Sequence, residues 1–344
     1  MSGGDPILIW GAGAIGGVLG AVFARAGHQV HMVDIVAGHV ARIRTEGLRI
    51  EGPVESFTQI LPASTPEALS GRYRRVFLAV KAHHTEAALQ ALVPHLAEDG
   101  FVVSAQNGLN ERVIAGAVGA HRTIGCFVNY GADWLGPGRI LFGNRGGIAV
   151  GELDGSLTPR VRDIHALLSL VEPDAVLTEN IWGYLWGKMG YGALLYATAL
   201  TPLSMSDAME RPEARAAHVA IGHEMMVLAR RLGVTPVGIY GFDPEAFLTR
   251  DRARLDASFA RMIANNRRTA KTHSGIYRDL AVRRRKTEVD AQIGIAPVLG
   301  AGVGVPMPAV SRLIERIHDI EEGRCVQHEA LADTLAEGLG TEWN

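Results

Sequence analysis

The fold of this chain is decided near its start, by residues 7–17: Ile7-Leu8-Ile9-Trp10-Gly11-Ala12-Gly13-Ala14-Ile15-Gly16-Gly17. Four apolar residues run directly into a glycine cluster, after which the apolar spacing becomes that of a helix. Gly11 permits a sharp turn, Gly13 lets a pyrophosphate approach the backbone, and Gly16 lets the helix pack close to the strand. The positive end of that helix then faces the phosphates. We therefore predict that a dinucleotide binds at Gly11, Ala12, Gly13, Ala14, Ile15 and Gly16; the alternative is a purely structural glycine turn.

The second predicted strand spans residues 27–34 and ends in an acidic residue, Asp34. Its distance from the glycines is close to the roughly 20 residues expected for the carboxylate that accepts the adenosine ribose hydroxyls. A carboxylate here repels the additional phosphate of NADP, so the sequence favours NAD, although Arg42 and Arg44 could still bind that phosphate. The alternative role for Asp34 is to cap the helix that follows.

Composition indicates an ordinary globular protein of two domains, because 344 residues exceed what one small core organises. The net charge of -2 gives no general attraction to nucleic acid or to an anionic membrane. Cys126 and Cys325 have neither a disulfide framework nor metal-ligand spacing, and we expect each to be a small buried hydrophobe. No metal site is predicted.

Targeting signals are not apparent in the sequence. Residues 1–6 lack the basic and apolar regions of a signal peptide, and no apolar segment reaches the ~18 residues of a membrane span. The expectation is a cytoplasmic protein whose partner is a small molecule rather than nucleic acid or membrane.

Several polar residues fall where predicted strands end. Further strands are predicted at 54–61, 74–81 and 101–104, with a helix at 85–96, which together imply right-handed crossovers and a parallel sheet. Gly11, Asp34, Lys81 and Asn107 all lie at the carboxyl ends of strands. In a sheet of this kind those ends line the ligand crevice.

The second half of the chain has a different pattern. Short strands and glycine turns occupy residues 123–151, and from residue 178 onward the apolar spacing is helical. Helices are predicted at 182–200, 213–232, 243–268, 287–300 and 309–321. We therefore divide the chain into a dinucleotide-binding domain at 1–178 and a helical substrate domain at 179–344. The apolar residues 293–305 could pack internally or form the interface of a homodimer.

Stretches spread along almost the whole chain resemble the ketopantoate reductase (2-dehydropantoate 2-reductase) family. They are Val80-Lys81-Ala82, Gln106-Asn107-Gly108, Trp186-Gly187-Lys188, Ser274 to Asp279, Thr287-Glu288-Val289-Asp290 and Gly304-Val305-Pro306. The resemblance implies an α/β fold in which a Rossmann-type doubly wound sheet precedes an all-helical C-terminal domain. It also implies an active site in the cleft between the domains, where hydride passes from a nicotinamide to a 2-oxo acid.

Lys188 is the candidate proton donor on two grounds. Reduction of a ketone needs a proton for the developing alkoxide, and an ammonium group among apolar residues such as Trp186 is disfavoured in its charged form and becomes a usable acid. The family's proton-donating lysine also matches this position. The alternative is a lysine whose ammonium group reaches the surface from a helix.

The resemblance assigns roles to four further residues. It implies that Glu288 contacts cofactor and substrate, that Asn107 reaches the nicotinamide ribose and the substrate, and that Lys81 contacts the cofactor, as does the backbone of Ala132. The alternatives are a capping or exposed helix carboxylate for Glu288, a simple Asn-Gly turn for Asn107, and a solvated strand end for Lys81. A carboxylate facing Lys188 could also order its ammonium group.

Three substrate positions depart from the family pattern. The family usually has asparagines four and eight residues after the lysine, where they bind substrate oxygens, and this chain has Gly192 and Tyr196 instead. Loss of two amides removes discrimination for a hydroxylated substrate, while Tyr196 could supply one hydroxyl. Ser274 lies one residue further from Glu288 than is usual, which puts its substrate contact in doubt.

Other charged and histidine-rich stretches have ordinary explanations. The basic run at 283–286 is typical of a solvated face, although its position before Glu288 could instead steer an anionic substrate. His218 and His223 are five residues apart, so they do not share a helix face as metal ligands would. His83 and His84 have no further ligands near them in the sequence.

Three functions remain open at this point. The first is an oxidoreductase that transfers hydride between NAD(H) and a small 2-oxo or 2-hydroxy acid, with Lys188 as general acid and base and with oxidation as the favoured direction. The second is an enzyme of the same layout acting on another hydroxy acid or alcohol, or on an imine as opine-type reductases do. The third is a nucleotide sensor without catalysis, in which Lys188 and Glu288 would be dispensable.

Overall fold

The computed structural model describes residues 5–269 and 271–339. The chain divides into two compact units, with the division between Ile181 and Trp182. An α/β unit therefore precedes a helical unit. The sequence-based division lay after residue 178.

The first unit contains all the strands and five of the helices of the described chain. The strands are β1 Ile7–Trp10, β2 Val30–Val33, β3 Leu48–Glu51, β4 Phe57–Gln59, β5 Ala63–Ser64, β6 Tyr73–Leu78, β7 Leu96–Ser104, β8 Thr123–Val128, β9 Gly131–Gly136, β10 Arg139–Asn144, β11 Ile148–Glu152 and β12 Val176–Leu177. The helices are α1 Ala14–Arg25, α2 Ala37–Thr45, α3 Thr85–Leu92, α4 Asn110–Val118 and α5 Pro159–Ser169.

Eight of these strands form one sheet in the order β12-β11-β8-β7-β6-β1-β2-β5. Neighbours from β5 to β8 are parallel, and β11 runs antiparallel to β8. From β1 the chain moves outward through β2 to β5 and then returns to place β6 on the other side of β1. The switch point of the topology, where such sheets bind ligands, is therefore at the carboxyl ends of β1 and β6.

The central strand is buried on both faces because helices cover both sides of the sheet. Ile7 and Ile9 pack into one hydrophobic cluster, and Leu8 and Trp10 pack into the other. All four side chains are at most 3% exposed. A run of four apolar residues without alternation is the sequence expected for such a parallel strand.

A second sheet was not foreseen from the sequence. It has the order β4-β3-β10-β9, in which β3 pairs parallel with β10 and antiparallel with β4. The strand predicted at 54–61 is reduced to Phe57–Gln59 and belongs to this sheet. The helix predicted at 85–96 ends as an α-helix at Leu92, before Pro94, since proline cannot continue the hydrogen-bond ladder.

Helices are the main regular elements in the described residues of the second unit, which also contain an isolated antiparallel bridge between Ile239 and Phe242. The helices are α6 Ile181–Thr198, α7 Met205–Glu210, α8 Pro212–Arg231, α9 Pro244–Thr249, α10 Arg252–Arg267, α11 Gly275–Tyr277, α12 Val289–Gln292, α13 Ile295–Val303, α14 Pro308–Glu321 and α15 Glu329–Asp333, with a π-helical turn at Arg278–Val282. Helix α6 begins at the last residue of the first unit.

Two of the predicted helices are interrupted. The segment predicted at 243–268 breaks where Arg250 adopts a left-handed conformation with φ 56°, and Asp251 then caps α10 by accepting from the N–H of Arg254 at 2.8 Å. The segment predicted at 287–300 breaks between Gln292 and Ile295. Helices α7 and α11 were missed because they are shorter than two turns.

The two cysteines differ in their surroundings. Cys126 is fully buried on β8, as predicted for a small hydrophobe, whereas Cys325 is only half-buried, so the same prediction was wrong for it. Among residues 5–269 and 271–339, no helix has the length and apolar character needed to cross a membrane.

Candidate dinucleotide and substrate site

The glycine turn after β1 is close-packed at two of its three glycines. Gly11 has φ +101°, and a Cβ atom there would lie 2.9 Å from the carbonyl carbon of Ala79 at the end of β6. A Cβ atom on Gly16 would lie 1.9 Å from the carbonyl oxygen of Gly11. Both positions therefore require glycine, one for the turn and one for the contact between helix and strand.

Gly13 differs from its neighbours because a Cβ atom there would meet no described atom within 4 Å. It is the N-cap of α1 and has no side-chain capping bond, and the first turn of the helix contains no acidic residue. Gly13 thus leaves open space beside an N-terminus that has no side-chain cap, at the positive end of a 12-residue helix. This geometry fits the pyrophosphate of a dinucleotide.

Ala12, the residue between these glycines, is held by side chains at both of its backbone polar groups. Its N–H donates to Asp34 Oδ2 at 3.0 Å, and its carbonyl oxygen is 2.8 Å from His39 Nε2. The other oxygen of Asp34 accepts from the N–H of Val36 at 3.0 Å. A carboxylate has about four acceptor positions, so two remain for ribose hydroxyls. Asp34 precedes the helix but is not its N-cap, which is Val36.

The surroundings of Asp34 are apolar rather than basic. Ile35 and Val36 follow it and are 76% and 44% exposed. Arg42 lies in the last turn of α2, where its guanidinium is 2.8 Å from Glu46 Oε2. Arg44 lies in the same turn and acts electrostatically on His31. Both arginines are thus at the end of α2 remote from Asp34, about 9 Å or more further along the helix axis.

Polar side chains join the loop after β6 to the loop after β7. Gln106 Nε2 donates to the carbonyl oxygen of Val80 and to Thr85 Oγ1, each at 2.8 Å. The Thr85 hydroxyl donates to Asn110 Oδ1 at 3.0 Å, and the amide of Asn110 donates to the carbonyl oxygen of Asn107. Because Gln106, Thr85 and Asn110 are buried, this network fixes the two loops against each other.

The predicted cofactor contacts of the first unit lie on these loops and on the second sheet. Lys81 and Asn107 are exposed, and each follows a strand beside β1 or its neighbour. Gly108 has φ +90°, so Asn107 also begins an Asn-Gly turn. Ala132 is half-buried on β9. The structure therefore brings Gly11, Asp34, Lys81 and Asn107 to one edge of the sheet.

Helix α6 carries Lys188, Gly192 and Tyr196 at intervals of four residues, so the three lie on one face. Lys188 is half-buried, and Trp186, two residues before it in the chain, is 2% exposed. A Cβ atom on Gly192 would meet no described atom within 4 Å. The face therefore has open space directly after the lysine.

Tyr196 connects this face of α6 to α12. Its side chain is 1% exposed, and its hydroxyl donates to Gln292 Oε1 at 3.3 Å. Burial raises the pKa of Tyr196 far above its usual value, and the negative charge of Glu288 raises it further. The phenol is therefore neutral, and Glu288 is near enough to act on it electrostatically.

Thr287 has the capping role considered as an alternative for this segment. Its hydroxyl oxygen accepts from the N–H of Val289 at 3.2 Å and donates to Glu321 Oε1 at 2.7 Å. Glu288 is half-buried and, within the described chain, makes no side-chain capping bond to α12.

Ser274 has a structural use in this fold. It is 3% exposed, and its hydroxyl oxygen accepts from the N–H of Tyr277 at 3.1 Å as the N-cap of α11. The turn that follows is π-helical, with the N–H of Arg283 donating to the carbonyl oxygen of Arg278 at 2.8 Å.

The basic run at 283–286 is exposed, as predicted for a solvated face. Arg283 and Arg285 both donate to Asp279 Oδ1, at 2.8 and 3.0 Å. His218 is 1% exposed, and burial lowers its pKa to about 4, so it is a neutral core histidine. Over the described ranges, no group of three or more His, Cys, Asp or Glu side chains is arranged to hold a metal ion.

Two contacts of the site were missed from the sequence. Gln292 accepts from the hydroxyl of Tyr196, which is 96 residues away in the chain. His39 meets Gly138, which is 99 residues away in the chain. No local pattern indicates a contact of that separation.

Comparison with known protein families agrees with the order of these elements. A family described as "Ketopantoate reductase PanE/ApbA" matches residues 7–155, and "Ketopantoate reductase PanE/ApbA C terminal" matches residues 180–321. The 2-dehydropantoate 2-reductase of Archaeoglobus fulgidus is 25% identical over 319 residues, 92% of this chain and 98% of the relative. That of Mesorhizobium japonicum is 28% identical over 336 residues, 90% of this chain and 95% of the relative.

Solved structures share the fold across both units. A PanE/ApbA family ketopantoate reductase from Ralstonia eutropha has a TM-score of 0.76 and 25% identity, covering 93% of this chain and 99% of its own. A D-mandelate dehydrogenase in a ternary structure with NADH and anilino(oxo)acetate has a TM-score of 0.79 and 21% identity, with the same coverage. A dimeric ketopantoate reductase from Staphylococcus aureus has a TM-score of 0.70 and 16% identity, covering 93% and 100%.

Proposed function

The chain belongs to the ketopantoate reductase family, and from this membership we propose that it transfers hydride between NAD(H) and a small 2-oxo or 2-hydroxy acid. It is an oxidoreductase that acts on CH–OH and C=O groups with a pyridine nucleotide. What we propose is the preference for NAD over NADP, the class of substrate, and the side chains that bind and react with it. The observation that carries it is the uncapped N-terminus of α1, open at Gly13 and adjoining the carboxylate of Asp34.

The preference for NAD follows from the chemistry around Asp34. The carboxylate and the apolar pair Ile35 and Val36 offer no cation to a 2′-phosphate, and Arg42 is paired with Glu46. NADP sites usually provide an arginine at this place. The backbone of residues 11–16 would hold the pyrophosphate, and Lys81, Asn107 and Ala132 would complete the contacts with the nucleotide.

We propose that Lys188 is the general acid and base that transfers a proton to and from the substrate oxygen. The nicotinamide, when bound, supplies or accepts the hydride. The ammonium group of Lys188 gives a proton to the substrate oxygen during reduction and takes it back during oxidation. Glu288, whose charge acts on Tyr196 of the same helix as Lys188, is proposed to order that ammonium group. Asn107 would hold the substrate from the first unit, whereas Ser274 and Tyr196 use their hydroxyls within the protein.

A substrate larger and less polar than ketopantoate is favoured by the face of α6. Gly192 leaves space where an amide would bind a hydroxyl, and the buried ring of Tyr196 replaces the second amide. The D-mandelate dehydrogenase of the same fold was solved with an aromatic oxo acid analogue and NADH. A 2-hydroxy acid with a bulky apolar side chain is therefore our second candidate.

The test is a steady-state panel with the purified protein. Ketopantoate and other 2-oxo acids are assayed with NADH and NADPH, and pantoate, lactate, 2-hydroxyisovalerate and mandelate with NAD and NADP. We expect the highest kcat/KM with NAD(H) and a 2-hydroxy or 2-oxo acid other than ketopantoate. Turnover of ketopantoate by NADPH far above all other pairs would contradict the proposal, and turnover only when an amine is added would favour an imine reductase.

We also propose a homodimer. The α13 segment is apolar yet leaves Val298 71% exposed, and the S. aureus relative is described as dimeric. Light scattering coupled to gel filtration should give twice the 36.8 kDa of the chain, and the mass of a monomer at micromolar concentration would contradict this expectation.

A further inference from the structure

His39 makes two hydrogen bonds in the interior of the first unit. It lies on α2 and is 1% exposed. Its Nε2 atom is 2.8 Å from the carbonyl oxygen of Ala12, and its Nδ1 atom accepts from the N–H of Gly138 at 2.8 Å. Gly138 is in the turn between β9 and β10, so the imidazole joins the glycine turn after β1 to the second sheet.

The two partners define the protonation of the ring. Because Nδ1 accepts a backbone N–H, it carries no proton, and Nε2 must be the protonated nitrogen that donates to Ala12. A neutral ring with the proton on Nε2 satisfies both bonds at once. The ring also has an edge-on contact with Trp134, at a centroid distance of 6.3 Å.

The bond to Ala12 acts on the next residue through the planar peptide. The carbonyl of Ala12 and the N–H of Gly13 belong to one trans peptide group and point in opposite directions. A carbonyl directed at His39 therefore directs the Gly13 N–H away from it. Asp34 holds the preceding peptide in the same way, through the N–H of Ala12 at 3.0 Å.

We propose that His39 is a positioning residue for dinucleotide binding: it fixes the Ala12–Gly13 peptide so that the Gly13 N–H is already aimed at the pyrophosphate. The inference rests on the proposed dinucleotide site but is independent of the preference between NAD and NADP. A donor oriented before binding costs no ordering when the ligand arrives, and for this reason the effect appears in nucleotide affinity.

The variants separate the two bonds of the ring. His39→Leu removes both, His39→Gln keeps a donor at the distance of Nε2, and His39→Asn keeps an acceptor at the distance of Nδ1. His165→Leu is the matched control, because His165 Nε2 also contacts one backbone carbonyl, that of Ala175 at 2.8 Å, on a helix that has no part in the glycine turn.

NADH affinity is measured by fluorescence titration, together with NADPH, and the affinities for ADP and adenosine by competition. We expect the Leu and Asn variants to bind NADH and ADP about five- to tenfold more weakly, the loss typical of one well-placed hydrogen bond. The affinities of the Gln variant and of the His165 control for NADH and ADP should remain within about twofold of the wild-type values. The affinity for adenosine, which has no phosphate, should change little in every variant.

The outcomes are separable. Wild-type affinity in the Leu variant, or equal losses in the Gln and Asn variants, would overturn the role of His39 and leave the proposed function intact. If the wild-type protein binds neither NADH nor NADPH, the proposed function fails and this inference fails with it. Should the Leu variant not fold, the comparison of Gln with Asn decides alone.

Discussion

The backbone N–H of Ala12 donates to the carboxylate of Asp34 at 3.0 Å, which joins the glycine turn after β1 to the end of β2. The Asp34 carboxylate thus stabilises the turn and still has acceptor positions for the hydroxyls of a ribose. Both interactions depend on a negative oxygen at this place. A single substitution should therefore change both the strength and the selectivity of nucleotide binding.

We predict that Asp34→Ala weakens NADH binding by about tenfold or more. It should also narrow the difference in affinity between NADH and NADPH. The first effect comes from lost ribose and Ala12 contacts, worth about 1–3 kcal/mol together, and the second from removal of the charge that repels a 2′-phosphate. Fluorescence titration with both nucleotides gives the two dissociation constants.

The control for this experiment is Asp99→Ala. Asp99 is an exposed carboxylate on β7 that pairs with Arg74 at 2.9 Å, and its removal should leave both constants unchanged. An unchanged ratio of NADH to NADPH affinity in the Asp34 variant would mean that the carboxylate does not select the nucleotide.

Lys188→Ala should abolish most turnover while NADH still binds. A positioned general acid typically contributes 10²- to 10⁴-fold, so we expect kcat to fall by about that factor. Single-turnover rates with the substrate found in the panel, and NADH titration, separate chemistry from binding. Lys286→Ala is the control, because Lys286 is exposed; if the two lysine variants retain similar kcat values, Lys188 is not the proton donor.

The parts of the site that the sequence predicted are those with short-range signals. The glycine spacing and Asp34 follow from what a single strand–turn–helix unit requires, and Asp251 could have revealed the break before α10 through its capping position. The parallel pairing of β3 with β10 joins residues near 50 and 140, and nothing in either segment specifies the other. The same reason explains why His39 was missed.

The helical unit illustrates a second limit of sequence patterns. The helix predicted at 182–200 is observed as α6, and Lys188, Gly192 and Tyr196 lie four residues apart on it. The sequence pattern did not reveal which partners their side chains would find. Tyr196 donates to Gln292 on a separate helix. The position of a residue on a helix is a local property, whereas the use of its hydroxyl depends on packing.

Alanine substitutions at two glycines of α6 should change the free energy of unfolding in opposite directions. At Gly192 a Cβ atom meets no described atom within 4 Å, so Gly192→Ala should stabilise the unit by about 0.5–1 kcal/mol through helix propensity. At Gly187 a Cβ atom would lie 1.9 Å from the carbonyl oxygen of Val237, a backbone atom that cannot rotate away. Gly187→Ala should therefore destabilise by about 2 kcal/mol or more, as overpacking does.

Urea unfolding of the two variants and the wild type without ligand measures both effects, and each variant is the control for the other. A Gly187→Ala variant that is more stable than the wild type would show that the packing around α6 differs from this description. A Gly192→Ala variant that loses more than about 1 kcal/mol of unfolding free energy would show the same.

The last prediction concerns Glu224, a carboxylate on α8 that caps a separate helix. Its two oxygens accept from the N–H groups of Ala309 and Val310 in the first turn of α14, each at 2.9 Å. Glu224 is 8% exposed, and burial outweighs these two donors, so the pKa of Glu224 rises to about 7. The protein consequently holds a proton on Glu224 at pH values where the unfolded chain has released it.

That difference gives the sign of the pH effect. Between the unfolded pKa near 4.5 and the folded pKa of about 7, the folded state binds more protons than the unfolded state, so stability falls as the pH rises. Glu224→Gln cannot titrate, and an amide oxygen still accepts one N–H. Relative to this variant, the wild type should lose about 2 kcal/mol of unfolding free energy between pH 5 and pH 8. Denaturant unfolding at both pH values measures the difference, with Glu213→Gln, an exposed carboxylate on the same helix, as the control; equal pH dependence in all three proteins would mean that Glu224 ionises in the folded state as easily as in water.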